Sequence, residues 1–175
     1  MSIAESLLPE FDHETGTTRT LLERVPGDKA DWKPHAKSMS LGTLATHVAT
    51  IPGWMPITLQ QTEFDTNPPG GQGYVPPAFE GTAKMLQTYD EGVKTARAML
   101  AATTDAEMMV SWALKSGGKI IFTMPRVAVL RSFIMNHSVH HRGQLSVYLR
   151  LCDVPLPSIY GPTADTQEPR VSAVL

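Results

Sequence analysis

The chain has 175 residues, of which 42% are hydrophobic, and its formal net charge is −2 with a pI of about 6.3. This size and composition predict one domain, residues 1–175, with a single core. The sequence contains no basic stripe, so we expect no nucleic-acid partner. The single cysteine, Cys152, excludes an internal disulfide framework and fits a reducing cytoplasm.

The start of the chain and its longest apolar runs bear on targeting. Residues 1–11 contain neither a basic region nor a long apolar run, so we expect no signal peptide. No stretch approaches the ~18 consecutive apolar residues that a membrane span requires. We therefore expect a cytoplasmic protein with no membrane partner.

The first predicted helix covers residues 5–25. Pro9 would lie near its start, where a missing backbone N–H is tolerated, and Pro26-Gly27 would end it. Its apolar face repeats every three or four residues: Leu8, Phe11, Thr15, Thr18, Leu22 and Val25. A connector over 28–39 follows, in which His35 is interpreted as an exposed loop histidine.

A second helix is predicted over 41–61, with Ser38 or Ser40 as its N-cap. His47 lies three residues after Leu44 and therefore flanks the buried stripe. Two prolines remove backbone donors inside the pattern and predict that the helix is kinked or divided, at Pro52 and Pro56.

The remaining elements are a loop, a third helix, a hairpin and a long last helix. Residues 62–78 are rich in Pro and Gly and are predicted to be a binding or lid loop, or a mobile one. A helix is predicted over 79–102, and a short hairpin surrounds Ser116-Gly117-Gly118. The last helix is predicted from Pro125 to about Leu151, with residues 158–175 irregular. The predicted fold class is all-α: a four-helix bundle with a long crossover and a short β-hairpin before the last helix.

Three of the six histidines lie close together in the last helix. His137 and His141 are four residues apart, which places both imidazoles on one helical face. That face is apolar on both sides of the pair, at Val127, Leu130, Ile134, Leu145 and Tyr148. Imidazoles that face a core need polar partners, so the pattern predicts either a bound metal or hydrogen bonds to neighbouring groups.

A third imidazole on another helix favours the metal. His47 lies beside the stripe of the second helix, and helical bundles build metal sites from facing helices. Three neutral imidazoles and one open position are typical of catalytic zinc, and nickel or iron also fits. His140 is rotated by about 100° from the pair and is predicted to be a neighbour or surface residue.

Several segments resemble the DinB/YfiT-like family of helical-bundle proteins. The most specific is the run from Asn136 to Arg150, and the segment from Ser40 to His47 resembles the family's second-helix histidine motif. Weaker likenesses accompany these: Trp32, Pro34-His35, Pro125-Arg126, Val154-Pro155 and Ile159-Tyr160-Gly161-Pro162. The chain has Cys152-Asp153 where the family commonly has a glycine.

The resemblance implies a four-helix bundle, usually a homodimer, with a divalent metal held by three histidines. Carried over by residue, these are His47, His137 and His141. Zinc or nickel is the first expectation, with iron or manganese second. Catalytic residues beyond the metal ligands cannot be assigned from the sequence.

Two functions remain open at this point. One is a metal-dependent enzyme acting on a small molecule, either a transferase for a low-molecular-weight thiol or a hydrolase. The other is a non-catalytic metal-binding stress-response protein. Arg142 either pairs with a carboxylate or reaches a substrate anion, and Cys152 is not expected to act as a nucleophile.

Overall fold

The computed structural model describes residues 1–166, so the predicted irregular segment is covered only in part. The helices are α1 Ile3–Leu22, α2 Leu41–Thr50, α3 Trp54–Gln60, α4 Thr82–Ala102, α5 Asp105–Met108, α6 Arg126–Val129 and α7 His137–Leu151. A π-helical segment, Leu130–Asn136, joins α6 to α7, and 3-10 turns span Gly27–Lys29 and Ile51–Gly53. The strands are β1 Glu63–Asp65, β2 Ser111–Ser116 and β3 Lys119–Pro125. None of the helices within 1–166 is long and apolar enough to cross a membrane.

Helix α1 begins earlier than the apolar pattern predicts. Ser2 accepts a hydrogen bond from the backbone N–H of Glu5, and the Glu5 side chain accepts one from the backbone N–H of Ser2. This capping box starts the helix at Ile3, because two otherwise unpaired donors are satisfied there. Pro9 consequently lies inside the helix and not near its start, which corrects the sequence prediction.

The second predicted helix is divided at Pro52, as predicted, whereas Pro56 lies inside α3 and does not break it. Ser40 is the N-cap of α2, and its hydroxyl accepts a hydrogen bond from the backbone N–H of Thr43 at 3.2 Å. A 3-10 turn containing Pro52 separates α2 from α3, which begins at Trp54. The division lies just beyond His47.

The bundle core consists of two groups of buried side chains. Helix α1 packs on α4 and α7, and α2 packs on the same two helices. One group joins these four helices through residues such as Leu21, Leu44, Tyr89 and Leu145. The other lies between α1, α3, α4 and the π-helical segment, around Phe11, Met55, Leu100 and Leu130.

A mixed three-stranded sheet corrects the all-α prediction to a mostly helical fold. Strands β2 and β3 form the predicted hairpin, whose turn residues Gly117 and Gly118 have φ of 61° and 76°. Both angles lie in the left-handed region that favours glycine in two-residue hairpin turns. Strand β1, inside the segment predicted to be a loop, pairs parallel to β2 with Phe64 opposite Leu114. Its three residues are too few to produce an alternating pattern, and its pairing is non-local.

Asp65 fastens the 62–78 segment to the hairpin turn. Its carboxylate accepts hydrogen bonds from the backbone N–H groups of Asn67 at 2.9 Å, Gly117 at 3.1 Å and Gly118 at 2.7 Å. These donors favour the charged form, and together with Lys115 they hold the pKa of Asp65 below its usual value despite desolvation. The segment is therefore attached to the sheet at its β1 end.

The last helix contains two local departures from regular α geometry. Where α6 passes into the π-helical segment, buried residues recur at a spacing of five, as in Val129 to Ile134 and Leu130 to Met135. At the other end, Asp153 takes φ 59° while the backbone N–H of Val154 donates to the carbonyl of Leu149. This C-terminal cap needs a left-handed residue, which is usually glycine. Asp153 therefore occupies a position at which helices commonly carry glycine.

Candidate metal centre

Three histidines from two helices meet at one place in the bundle. His47 lies on α2, while His137 and His141 lie one turn apart on α7. All three are partly buried, and one ring nitrogen from each lies within 4.8 Å of the others. Within residues 1–166 this is the one group of three or more His, Cys, Asp or Glu side chains close enough to hold an ion.

The spacing of the nitrogens suits a small divalent ion. The Nε2 atoms of His47 and His137 are 3.2 Å apart. Two nitrogens bound to one tetrahedral zinc at ~2.0–2.1 Å would lie about 3.3 Å apart. Without an ion the same contact is a hydrogen bond, provided that one ring carries its proton on Nε2. The spacing of this pair thus matches that of two ligands on one ion, and the third histidine lies close enough to join them.

The surroundings keep the imidazoles neutral, which is the form that binds a metal. Burial, with the positive charges of His141 and His137 as smaller causes, lowers the pKa of His47 to about 4. Burial is also the largest cause that lowers the pKa of His137 and of His141. At neutral pH all three rings therefore present lone pairs, and protons compete little for them.

Groups outside the three rings hold them in place. The Nδ1 atom of His141 lies 2.7 Å from Oε1 of Gln144, so this ring donates from Nδ1 and keeps Nε2 free as a ligand. The ring of Trp54 packs against two of the histidines, 5.5 Å from His47 and 5.3 Å from His137 between centroids. The division of the second helix places Trp54 there.

The other histidines do not join the group. His140 is exposed and stacks edge-on against His141 with ring centroids 4.8 Å apart, which confirms the prediction of a surface neighbour. His35 is exposed in its loop, as predicted. His13 is exposed and lies beside Tyr160.

A cavity of about 340 Å³ adjoins the histidines. It is bounded by α3, by the sheet with the 62–78 segment, and by the last helix. His47 and His137 form part of its wall. The other lining residues are almost all aromatic or aliphatic: Trp54, Ile57, Thr58, Phe64, Thr66, Tyr74, Pro76, Trp112, Leu114, Phe122, Val129, Phe133 and Ile134.

Arg142 is a structural residue that faces away from this cavity. It is 1% exposed, and its guanidinium contacts the Glu14 carboxylate at 2.6 Å, the Tyr160 hydroxyl at 2.6 Å and the Thr18 hydroxyl at 3.2 Å. Of the two predictions for Arg142, this pairing supports the ion pair. Cys152 is buried, and desolvation raises the pKa of its thiol, so the structure offers no activated thiolate there.

Sequence reasoning missed most of the cavity and the contact of Gln144. Aromatic residues in a Pro/Gly-rich segment, here Phe64 and Tyr74, were the available signal for a wall. The i, i+3 spacing of His141 and Gln144 was the signal for the hydrogen bond. The 62–78 segment, for which a binding loop, a lid and a mobile loop were all left open, contributes both residues to the wall of the cavity.

The chain is similar to proteins of one family. A model of the DinB family matches residues 1–171. The "Uncharacterized protein YrdA" of Bacillus subtilis (strain 168) is 24% identical over 164 residues, covering 92% of this chain and 90% of YrdA.

Two solved structures share the fold. A DinB-like protein from Bacillus cereus ATCC 10987 superposes with a TM-score of 0.67 at 22% identity, covering 91% of this chain and 98% of the other. The DinB-like protein YjoA from Bacillus subtilis gives a TM-score of 0.66 at 19% identity, covering 90% and 99%. At this level of identity the likeness shows the fold alone.

Proposed function

Because the chain belongs to the DinB family, we propose that it is a metal-dependent enzyme acting on a small molecule at the three-histidine group. The observation that carries the proposal is the convergence of His47, His137 and His141 beside a cavity, with His47 and His137 forming part of its wall. A purely structural site normally closes around the ion with four protein ligands. Three imidazoles beside a cavity leave a position that a small molecule can reach.

The residues of the chain have separate tasks in this proposal. His47, His137 and His141 hold the ion, and Gln144 fixes the ring of His141. Trp54 and the apolar wall exclude bulk water, which strengthens electrostatic interactions at the site. A divalent ion held there would supply Lewis-acid activation of either a water or a thiol.

The choice of ion and of reaction is part of the proposal. Nitrogen-only ligand sets suit zinc or nickel, with iron or manganese as further candidates. Transfer of a low-molecular-weight thiol and hydrolysis are both compatible with this ligand set. Homodimerisation and a thiol partner stay predictions from the family resemblance.

Metal content tests the first half of the proposal. We expect about one ion per chain in the purified protein, and loss of most of it when His137 or His47 is replaced by Ala, because two imidazoles bind weakly. The matched control is His140→Ala, which removes an adjacent exposed histidine and should leave the metal content unchanged. Equal metal content in the His47/His137/His141 triple alanine variant and the wild type would contradict the site.

Turnover tests the second half. The metal-loaded protein is screened for thiol conjugation to electrophiles and for ester or amide hydrolysis, with the triple variant as the blank. Activity that requires both the ion and the three histidines supports an enzyme. A stable ion without any metal-dependent turnover in either screen would favour the non-catalytic alternative.

A further inference from the structure

We infer that the small molecule which binds beside the histidines has an uncharged aromatic or branched apolar body and a single metal-binding head group. The part of the inference that concerns the head group rests on the proposed function. The part that concerns the body rests on the cavity alone. The two parts can therefore fail separately.

The wall of the cavity determines the chemistry of the body. Two pairs of aromatic rings line it: Phe122 on β3 stacks on Phe133 with centroids 4.4 Å apart, and Phe64 lies edge-on to Tyr74 with centroids 6.3 Å apart. Within residues 1–166, none of the lining side chains is Asp, Glu, Lys or Arg. A charged group on the body would lose its hydration, and the wall offers no opposite charge to replace it, which is costly.

The position of the histidines determines the head group. His47 and His137 belong to the wall, and among the described residues 1–166 the only other polar side chains there are two threonines, Tyr74 and the indoles. The hydroxyl of Thr58 already donates to the carbonyl of Trp54, and that of Thr66 to the carbonyl of Lys115. A donor atom on the ligand therefore finds its strongest partner at the histidine end.

The volume limits the size of the body. At about 340 Å³ the cavity lies at the lower end of the range for small-molecule sites, roughly 300–1,000 Å³. It suits a compound of one or two rings. The 62–78 segment, which includes β1, and the hairpin form the walls that limit this volume.

A matched set of imidazoles tests the inference. The cobalt-loaded protein is titrated with 1-methylimidazole, 1-phenylimidazole and 4-(imidazol-1-yl)benzoate, whose common N3 donor makes the head group the same. Binding is followed by the visible spectrum of cobalt. We expect 1-phenylimidazole to bind at least about tenfold more tightly than 1-methylimidazole, because apolar surface is buried. We expect the benzoate to lose that gain.

Two adjacent positions on β3 provide the variant and its control. Phe122→Asp places a carboxylate in the wall, whereas Ile121→Asp changes a neighbouring residue that is 59% exposed and does not line the cavity. The phenyl preference should fall to within about twofold in the first and persist in the second. Should Phe122→Asp fail to fold, Tyr74→Glu and its exposed neighbour Val75→Glu give the same comparison.

The tryptophan fluorescence of the metal-free protein separates the two possible failures. Trp54 and Trp112 line the cavity and report on its occupancy. A phenyl preference without any cobalt binding would refute the metal site and leave the apolar body standing. Cobalt binding with equal affinity for the phenyl and methyl compounds would overturn the inference and leave the metal site standing. If cobalt does not bind and no preference for the phenyl compound is seen, the metal site and the apolar body are both refuted.

Discussion

Gln144 acts on the histidine group without belonging to it. Its Oε1 lies 2.7 Å from Nδ1 of His141, and this contact acts against burial on the pKa of His141. Partners of this kind select the tautomer of a metal-binding histidine and orient its ring. An exposed residue on the outer side of α7 therefore influences a partly buried ligand.

Replacement of Gln144 by Ala should weaken zinc binding by about tenfold, because His141 would lose the acceptor that holds its proton on Nδ1. The measurement is a competition titration against a chromophoric chelator. Gln144→Glu is the matched variant, since a carboxylate accepts the same hydrogen bond and should preserve or increase the affinity. Identical zinc affinities for the Ala variant and the wild type would show that the contact does not orient the ring.

Single helices differ in how closely side chains of neighbouring elements approach their backbones at glycine. Gly16 lies in α1, and a Cβ atom there would meet nothing within 4 Å. Gly42 lies in the first turn of α2, where a Cβ atom would lie 3.0 Å from Cγ of Phe79 and 3.1 Å from Cβ of Ala30. The same residue type thus has a packing role in one helix and none in the other.

Gly16→Ala should stabilise the protein by about 0.5–1 kcal/mol, because alanine loses less backbone entropy in a helix. Gly42→Ala should destabilise it by about 1–3 kcal/mol, because Phe79 must move. Urea denaturation of the two variants measures both free energies. A gain at Gly42 equal to that at Gly16 would mean that the contact with Phe79 yields without cost.

At the scale of the whole molecule, the histidine group connects two segments that are distant in sequence. His47 and His137 are 90 residues apart, on α2 and at the start of α7. An ion bound to both would exist only in the folded state, since the unfolded chain does not hold these side chains together. Binding would therefore be linked to folding.

Zinc at 100 times its Kd should stabilise the fold by about 2.7 kcal/mol and raise Tm by roughly 5–10 °C. Differential scanning calorimetry with and without zinc measures the shift. The His137→Ala variant should lose the zinc-dependent part, and magnesium, which prefers oxygen ligands, should produce little effect on the wild type. An equal zinc-induced rise in the alanine variant would locate the stabilising ion elsewhere.

Local patterns accounted for much of the fold in advance. Pro52 predicted the division of the second helix, Gly117-Gly118 predicted the hairpin turn, and Ser40 was one of two predicted caps. Each of these depends on residues a few positions apart, so backbone propensity decides them. The predicted start of α1 was wrong because the capping box lies outside the apolar repeat that was used to place the helix.

The shared helical face of His137 and His141 follows from sequence, because their separation of four residues and the surrounding stripe are local properties. The sequence also indicated His47 as the third member, from its place beside another stripe and from the family resemblance. Tertiary structure alone decided that the His47 and His137 nitrogens meet at 3.2 Å. It also decided that β1 pairs with β2 and that an aromatic cavity adjoins the site. These features require contacts between residues far apart in the chain, and such contacts are selected by packing and by the pairing of backbone groups.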